Sequence, residues 1–460
     1  MRWLRVTVAL AALVMVAKVA SARVPAFVRQ TGLTCNQCHM SWSNAPDFTF
    51  TGLKFRANGY RTPWVAEKVE AGEEGAVNGQ RLVLTLGSML SWHSRSIIVA
   101  QSKSASDPSL AEPTAGSPFT SPISTVAMHY SGPIGEHVGF WNEFYLYGGN
   151  LTPVQGVGGS GSRNGYIGLS HYALVFTTNI GGNIYGFEPF DLAPAAGTHS
   201  LVGVTGNNVP NNQSRSPGLT GSGAPYSRQS IYAFMQDRVV LKLGIEPGED
   251  NLDYKKLNYF AEFAVLPFNT DAGWGCVCFA YKAGNDMVPG ISTLRPSNDG
   301  VRTLVPADAV VGVSATRANG QPLTSLNTGD ANRMLVSIAY GFTDKGPHSF
   351  IAQVGLSREN ENYNDGSNLR MRAVGFEGRY YYNRTYGVIF GLAKHLTWNY
   401  TAADGVVHKI PDDVQPLLRL VYKVAMNTAF YWEYNTQQTN ALDQNYRNGY
   451  TWNLNIQWLW

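Results

Sequence analysis

The chain has 460 residues, 35 Lys and Arg against 32 Asp and Glu, and a formal charge of +3. Losing Arg2, Arg5 and Lys18 with an N-terminal signal leaves no net charge, so no basic field draws in nucleic acid. Four cysteines exclude a disulfide scaffold, and 12% aromatics, 15% charged residues and 48 glycines fit a secreted β protein or an outer-membrane barrel.

Residues 1–22 read as a secretory signal. Arg2 and Arg5 form its charged start, Val6 to Ala17 is an apolar run too short to span a bilayer, and Ala20-Ser21-Ala22 is a small-residue cleavage site. No later stretch approaches 18 consecutive apolar residues, so a helical membrane span is not expected.

Residues 23–68 form a small unit. The run "VPAFVRQTGL" predicts a short helix leading into "TCNQCH", where Cys35, Cys38 and His39 make a C-x-x-C-H. That pattern reads as a c-type haem attachment site. Two thiols three residues apart reach the two vinyl groups on one haem edge, and the next imidazole becomes the proximal iron ligand. Zinc would want four ligands, and the other cysteines are distant. A redox disulfide between Cys35 and Cys38 leaves His39 without a role. The following run, "SNAPDFTFTGLKFRANGY", predicts a second helix with Ser43 or Asn44 as cap, Pro46 in the first turn and a stop at Asn58-Gly59. Phe48, Gly52 and Phe55 share one face of that helix and suit either a flat macrocycle or ordinary packing.

From residue 79 to 460 the period changes to two. In "YTWNLNIQWLW", Tyr450, Trp452, Leu454, Ile456, Trp458 and Trp460 share one face, opposite Thr451, Asn453, Asn455 and Gln457. Val388, Phe390 and Leu392 repeat the pattern, as do Leu418, Leu420 and Tyr422. Tight turns near 131–137, 177–182, 244–253, 341–347, 382–386 and 424–428 alternate with longer polar connectors, as in an outer-membrane barrel. This predicts 14 antiparallel strands, or 16 if residues 267–332 hide a hairpin formed by "GCVCFAY" and "TLVPADAVVGV". Either even number puts both termini on the periplasmic side. The fold expected is all-β with a small α N-terminal segment: a transmembrane β-barrel plugged by a short c-type cytochrome segment. A soluble sandwich would share the alternation, with its faces reversed. Cys276 and Cys278 lie on one strand face and suit a soft-metal site or a disulfide.

The cytochrome segment lacks a distal haem ligand of its own, since no His or Met occurs between Met40 and Met89. Strand parity nominates Met89, His93, His129 and His395 as inward candidates. Glu143, Glu262, Glu377, Arg379, Arg419, Lys423 and Glu433 share that parity and suit a polar lumen. A haem inside the lumen could collect electrons across a membrane band that insulates a haem on the periplasmic surface.

The run "VPAFVRQTGLTCNQCH", followed by "GLKFRANGY", resembles the N-terminus of the fused monohaem cytochrome–porins of iron-oxidising bacteria. Phe27, Arg29, Gln30, Thr31 and Gly32 match the lead-in, Cys35, Cys38 and His39 the haem site, and Phe55, Gly59 and Tyr60 the tail. The resemblance covers residues 24–60 and implies one haem c held covalently by Cys35 and Cys38. It further implies extracellular Fe(II) as electron donor and a periplasmic c-type cytochrome or copper protein as acceptor. The activity implied is that of an iron:cytochrome c oxidoreductase. A conduit for another donor or acceptor, or a haem-plugged porin acting as a redox sensor, would carry the same sequence features.

Overall fold

The computed structural model describes residues 26–31, 33, 35–39, 48–62, 76–77, 80–81, 90–103, 114–115, 125–133, 137–148, 168–192, 228–247, 257–270, 272–285, 328–343, 347–363, 366, 368–401, 404–409, 414–425, 428–436 and 450–459. Among the described residues three helices come first: α1 (Ala26–Thr31), α2 (Cys35–Cys38) and α3 (Phe50–Ala57). A two-stranded ribbon pairs Ala76–Val77 with Gln80–Arg81.

The wall follows. Its strands are β1 (Leu90–Lys103), β2 (Thr125–Pro133), β3 (Val138–Gly148), β4 (Gly168–Ile180), β5 (Asn183–Leu192), β6 (Arg228–Met235), β7 (Val239–Pro247) and β8 (Leu257–Val265). They continue as β9 (Gly273–Asn285), β10 (Thr328–Thr343), β11 (His348–Tyr363), β12 (Asn368–Tyr382), β13 (Tyr386–Thr401), β14 (Val414–Ala425), β15 (Thr428–Thr436) and β16 (Tyr450–Leu459). Neighbours in sequence pair antiparallel, and β16 returns to pair with β1, Leu459 opposite His93, closing a barrel. Three short pieces, Thr114–Ala115, Asn269–Thr270 and Val407–Lys409, extend the wall from its connectors.

The wall therefore has sixteen long strands among the described residues. The extra pair does not arise quite as the sequence suggests. "GCVCFAY" is in β9, but "TLVPADAVVGV" lies outside the described residues. The other additional strand comes from a turn at residues 236–238, which splits one expected strand into β6 and β7. Gln236 and Asp237 both take positive φ there, +50° and +57°. Two left-handed central residues match the right-handed twist of a hairpin, but the turn carries no glycine to announce it. As a result the connector near 244–253, expected as a tight turn, belongs to the opposite rim. Gly181 and Gly182 make the same two-residue turn with the expected residue type.

The side chains are sorted inside out. In β8, Asn258, Phe260, Glu262 and Ala264 are buried, while Tyr259 and Phe263 face outward. Elsewhere Ile231, Ile338, Leu356 and Leu392 are exposed, whereas Lys242, Lys282, Glu377 and Arg379 are no more than 2% exposed. A soluble sandwich would do the reverse. Val388, Phe390, Leu418, Leu420 and Tyr422 take the outward places their alternation predicts. Glu262, Glu377 and Arg379 take the expected inward ones, and the side chains of Glu143 and Glu433 lie outside the described residues. Among the described residues no helix is long and apolar enough to cross a membrane. The outward apolar belt on a closed sheet is that of a barrel crossing by its strands.

Ile338 sits on this belt between Val277 and Val354. Ile338→Arg is expected to lower barrel stability by about 2–4 kcal/mol, the cost of a cation near the bilayer midplane. Urea unfolding from lipid vesicles measures it; an unchanged midpoint would mean this face does not meet lipid.

Candidate functional site: the CNQCH turn and its seat in the barrel

The candidate site begins with α2, one helical turn from Cys35 to Cys38, the spacing at which residues i and i+3 are neighbours. The chain then forms a single antiparallel bridge, His39 opposite Phe48, and enters α3. The cap of α3 is Thr49, whose hydroxyl accepts from the Gly52 N–H at 3.2 Å. Ser43, Asn44 and Pro46, expected to start this helix, lie outside the described residues, and the helix begins at Phe50. The Thr49 amide also donates to the Cys38 carbonyl at 3.0 Å, and the Thr49 hydroxyl donates to the Gln37 carbonyl. α2 is thus tied to the first turn of α3.

Gly52 is needed for this closeness. A Cβ there would stand 2.1 Å from the Cys38 carbonyl oxygen. The bare glycine therefore serves a backbone-to-backbone contact, not an open cradle for a macrocycle. Phe48 lies against the His39 ring at 5.0 Å between centroids, and the Arg56 guanidinium stands 5.9 Å from the Phe48 ring centre.

His39 Nδ1 is sealed from solvent and makes no hydrogen bond, though the residue as a whole is only half-buried. Burial lowers its pKa to about 4, so the imidazole is neutral at physiological pH, the form that binds a metal. A buried ring nitrogen without a partner is costly unless something satisfies it. Cys38 stands as a half-buried thiol, and the side chain of Cys35 lies outside the described residues. A Cys38 thiol followed directly by a neutral imidazole is the donor set that would hold one edge and the iron of a haem c.

The helices are seated against the inner wall at the end of the barrel that carries the tight turns. Gln30 donates to the Ser131 carbonyl at 2.8 Å. The Tyr232 hydroxyl donates to the Ala57 carbonyl at 2.6 Å, and Trp274 Nε1 donates to the Phe48 carbonyl at 3.2 Å. Lys54 pairs with Asp237, in the unannounced turn, at 2.7 Å. Arg61, 3% exposed, donates to the Asn58 carbonyl at 3.2 Å and to the Thr177 carbonyl at 3.4 Å. Leu53, Phe55, Ala57 and Tyr60 join Val175, Phe234, Leu266 and Trp274 in one apolar cluster. Within the segment, Phe27 stacks on Tyr60 at 5.4 Å and meets Phe55 edge-on at 5.1 Å.

Gly59 and Gly139 let the two backbones meet. Gly59 has φ of +66°, and a Cβ on Gly139 would lie 1.8 Å from the Gly59 carbonyl oxygen. None of Ser131, Gly139, Thr177, Tyr232, Asp237 and Trp274 stands out in the sequence. Inward parity was the one signal available, and it does not say which inward residues meet another segment.

The distal-ligand candidates fare unevenly. His129 is half-buried, on the same face of β2 as Ser131, with its ring edge-on to Trp141 at 5.4 Å. Trp141 in turn packs on the cluster that holds the helices. His93 pairs in register with Ala127, and His395 with Ala373. Met89 and the side chains of His93 and His395 lie outside the described residues. Cys276 and Cys278 are joined as a disulfide. Among the described residues no group of three or more His, Cys, Asp or Glu is placed to hold a metal ion.

No protein-family model matches the chain, and no curated protein matches it. Its fold is similar to solved outer-membrane proteins. A loop-deletion form of OmpT from Vibrio cholerae is 14% identical, covers 81% of this chain and 99% of its own, and has a TM-score of 0.46. The outer membrane channel DcaP of Acinetobacter baumannii is 12% identical over 81% of this chain and 95% of its own, with a TM-score of 0.45. An anion-selective porin from Comamonas acidovorans is 12% identical over 81% and 99%, with a TM-score of 0.44.

The seat gives a test with two strengths. Gly139→Val, which meets backbone, is expected to unseat the segment, so that amides of Leu53–Ala57 exchange at least tenfold faster while those of β11 and β12 are unchanged. Tyr232→Phe, which only leaves the Ala57 carbonyl unsatisfied, is expected to cost about 1–3 kcal/mol of the same protection. Hydrogen exchange read by mass spectrometry distinguishes these from a general loss of fold.

Proposed function

We propose that this chain is an outer-membrane electron-transfer protein, with one haem c attached to Cys35 and Cys38 and held by His39 as proximal ligand. The observation that carries the reading is the one-turn C-x-x-C helix with the neutral His39 directly after it, within a segment fastened to the inside of a membrane barrel. When bound, the haem supplies a one-electron iron couple. The protein's own part is to orient the imidazole through Phe48, to keep it neutral by burial, and to fix the segment at one mouth of the barrel. The tight-turn rim, where β1 begins and β16 ends, is the periplasmic side in this reading, with both termini there.

Extracellular Fe(II) is the proposed donor: it loses one electron and leaves as Fe(III), while a periplasmic c-type cytochrome or copper protein gains one. The support for Fe(II) is the resemblance of residues 24–60 alone. The barrel supports any donor confined to the far side of the membrane.

Production in cells with c-type haem maturation is expected to give a chain that keeps haem on a denaturing gel. Cys38→Ser is expected to lower that covalent stain by at least tenfold, and His39→Ala is expected to keep any attached haem but change its spectrum. Purified protein in vesicles is expected to be reduced by excess Fe(II). A chain without haem would sink the whole reading. A haem that stays oxidised with Fe(II) at neutral and acidic pH would reject Fe(II) as donor and leave electron transfer standing.

A further inference from the structure

Cys276 and Cys278 have no role in haem attachment, yet they sit where the segment is seated. They lie two apart on β9, share its inner face, and are joined with Cα atoms 5.9 Å apart. They are 3% and 1% exposed and belong to the same apolar cluster as Leu53, Phe55 and Ala57 of α3. Trp274, next along that face, is fully buried and donates to the Phe48 carbonyl. Phe48 packs on His39. Contacts therefore run from the strand face of the disulfide to the CNQCH turn.

We propose that the Cys276–Cys278 disulfide is a redox switch that sets how firmly the helical segment is seated. The inference goes beyond the haem reading, because seating is a property of the chain with or without haem. The reductant is a dithiol. One of its thiolates attacks a wall sulfur and breaks the Cys276–Cys278 bond. Its second thiolate then resolves the mixed disulfide. Two thiols remain in the wall, and the two electrons and two protons they gain come from the dithiol, which leaves as a disulfide.

The bond matters because the surroundings are close-packed. Reduction adds two hydrogens and lets the two cysteine side chains turn independently into their own rotamers. An interior at crystal-like density takes up that change by moving a neighbour. Ala264 and Ser337 stand opposite Cys278, and Ala339 opposite Cys276, all three held in ladders of backbone hydrogen bonds. The helical segment is fastened to this strand through Trp274 and apolar contact instead, so it is the neighbour that gives. A seated segment, packed in the same apolar cluster, would in turn shield the disulfide. Protection of the bond by the segment and hold on the segment by the bond are two sides of one coupling.

Full-length barrel in detergent micelles, with excess dithiothreitol, tests this. Site-resolved maleimide labelling reads Cys276 and Cys278, and amide exchange of Leu53–Ala57 is followed in parallel. Reduction is expected to expose both thiols and to speed α3 exchange at least fivefold. Gly139→Val, with the segment unseated, is expected to be reduced at least tenfold faster than the parent. The double variant Cys276→Ser, Cys278→Ser is expected to start at the faster exchange and not to respond to dithiothreitol. Should the double variant fail to fold, the parent titration alone decides. Resistance of the disulfide to excess dithiol, reduction without any change in α3 exchange, or equal reduction rates in parent and Gly139→Val would each overturn the switch. None of these readouts needs haem, so absence of haem would end the haem reading and leave this one intact.

Discussion

Closure of the sheet governs this molecule. A strand crossing hydrocarbon has no water for its amides and carbonyls, so each must find a partner in the next strand. An open edge would leave one row unpaired. Pairing of β16 with β1 removes the edges. Once the ring is closed, inside and outside are fixed for every residue by alternation, and the apolar set has to face out. That is why Ile338 and Leu356 are exposed while Lys282 and Arg379 are buried.

The same closure creates the problem that the inner wall solves. Charges turned inward still need partners. Lys242 and Glu188 pair at 2.5 Å with Ser230 also donating to Glu188, and Arg379 lies against Glu377. Toward the tight-turn rim on β4, β5, β8 and β9 the inner face carries Ala173, Val175, Ile184, Ala264 and Trp274, while Arg379 stands level with Trp274 on β12. An apolar patch inside a barrel needs cover, and the helical segment supplies it with Leu53, Phe55 and Ala57. Tyr232 and Trp274 hold the segment along this patch by hydrogen bonds to its backbone carbonyls.

Much of this was legible in the sequence. Period-2 alternation gave the faces of β13 and β14, since Val388 and Leu420 announce them without help from distant residues. The C-x-x-C-H and the helices around it were legible for the same local reason. Two things were not. The turn at Gln236 and Asp237 places ordinary side chains in left-handed backbone, helped by the Lys54–Asp237 pair that only the folded chain makes. The seat depends on contacts such as Gly59 against Gly139, where the informative fact is the absence of a side chain. Alternation says that Gly139 and Trp274 face inward, but what they face is decided by the rest of the ring.

The fastenings of the helical segment span long stretches of chain. Gln30 reaches Ser131 across 101 residues, Ala57 reaches Tyr232 across 175, and Phe48 reaches Trp274 across 226. Most of the wall pairs between sequence neighbours, and only the β16–β1 seam joins its two ends. The helical segment is staked instead to β2, β6 and β9 at once, strands that lie far apart along the chain. Its hold is therefore a property of the closed ring and of no single hairpin, so a break in any one of these strands would be felt at all three fastenings.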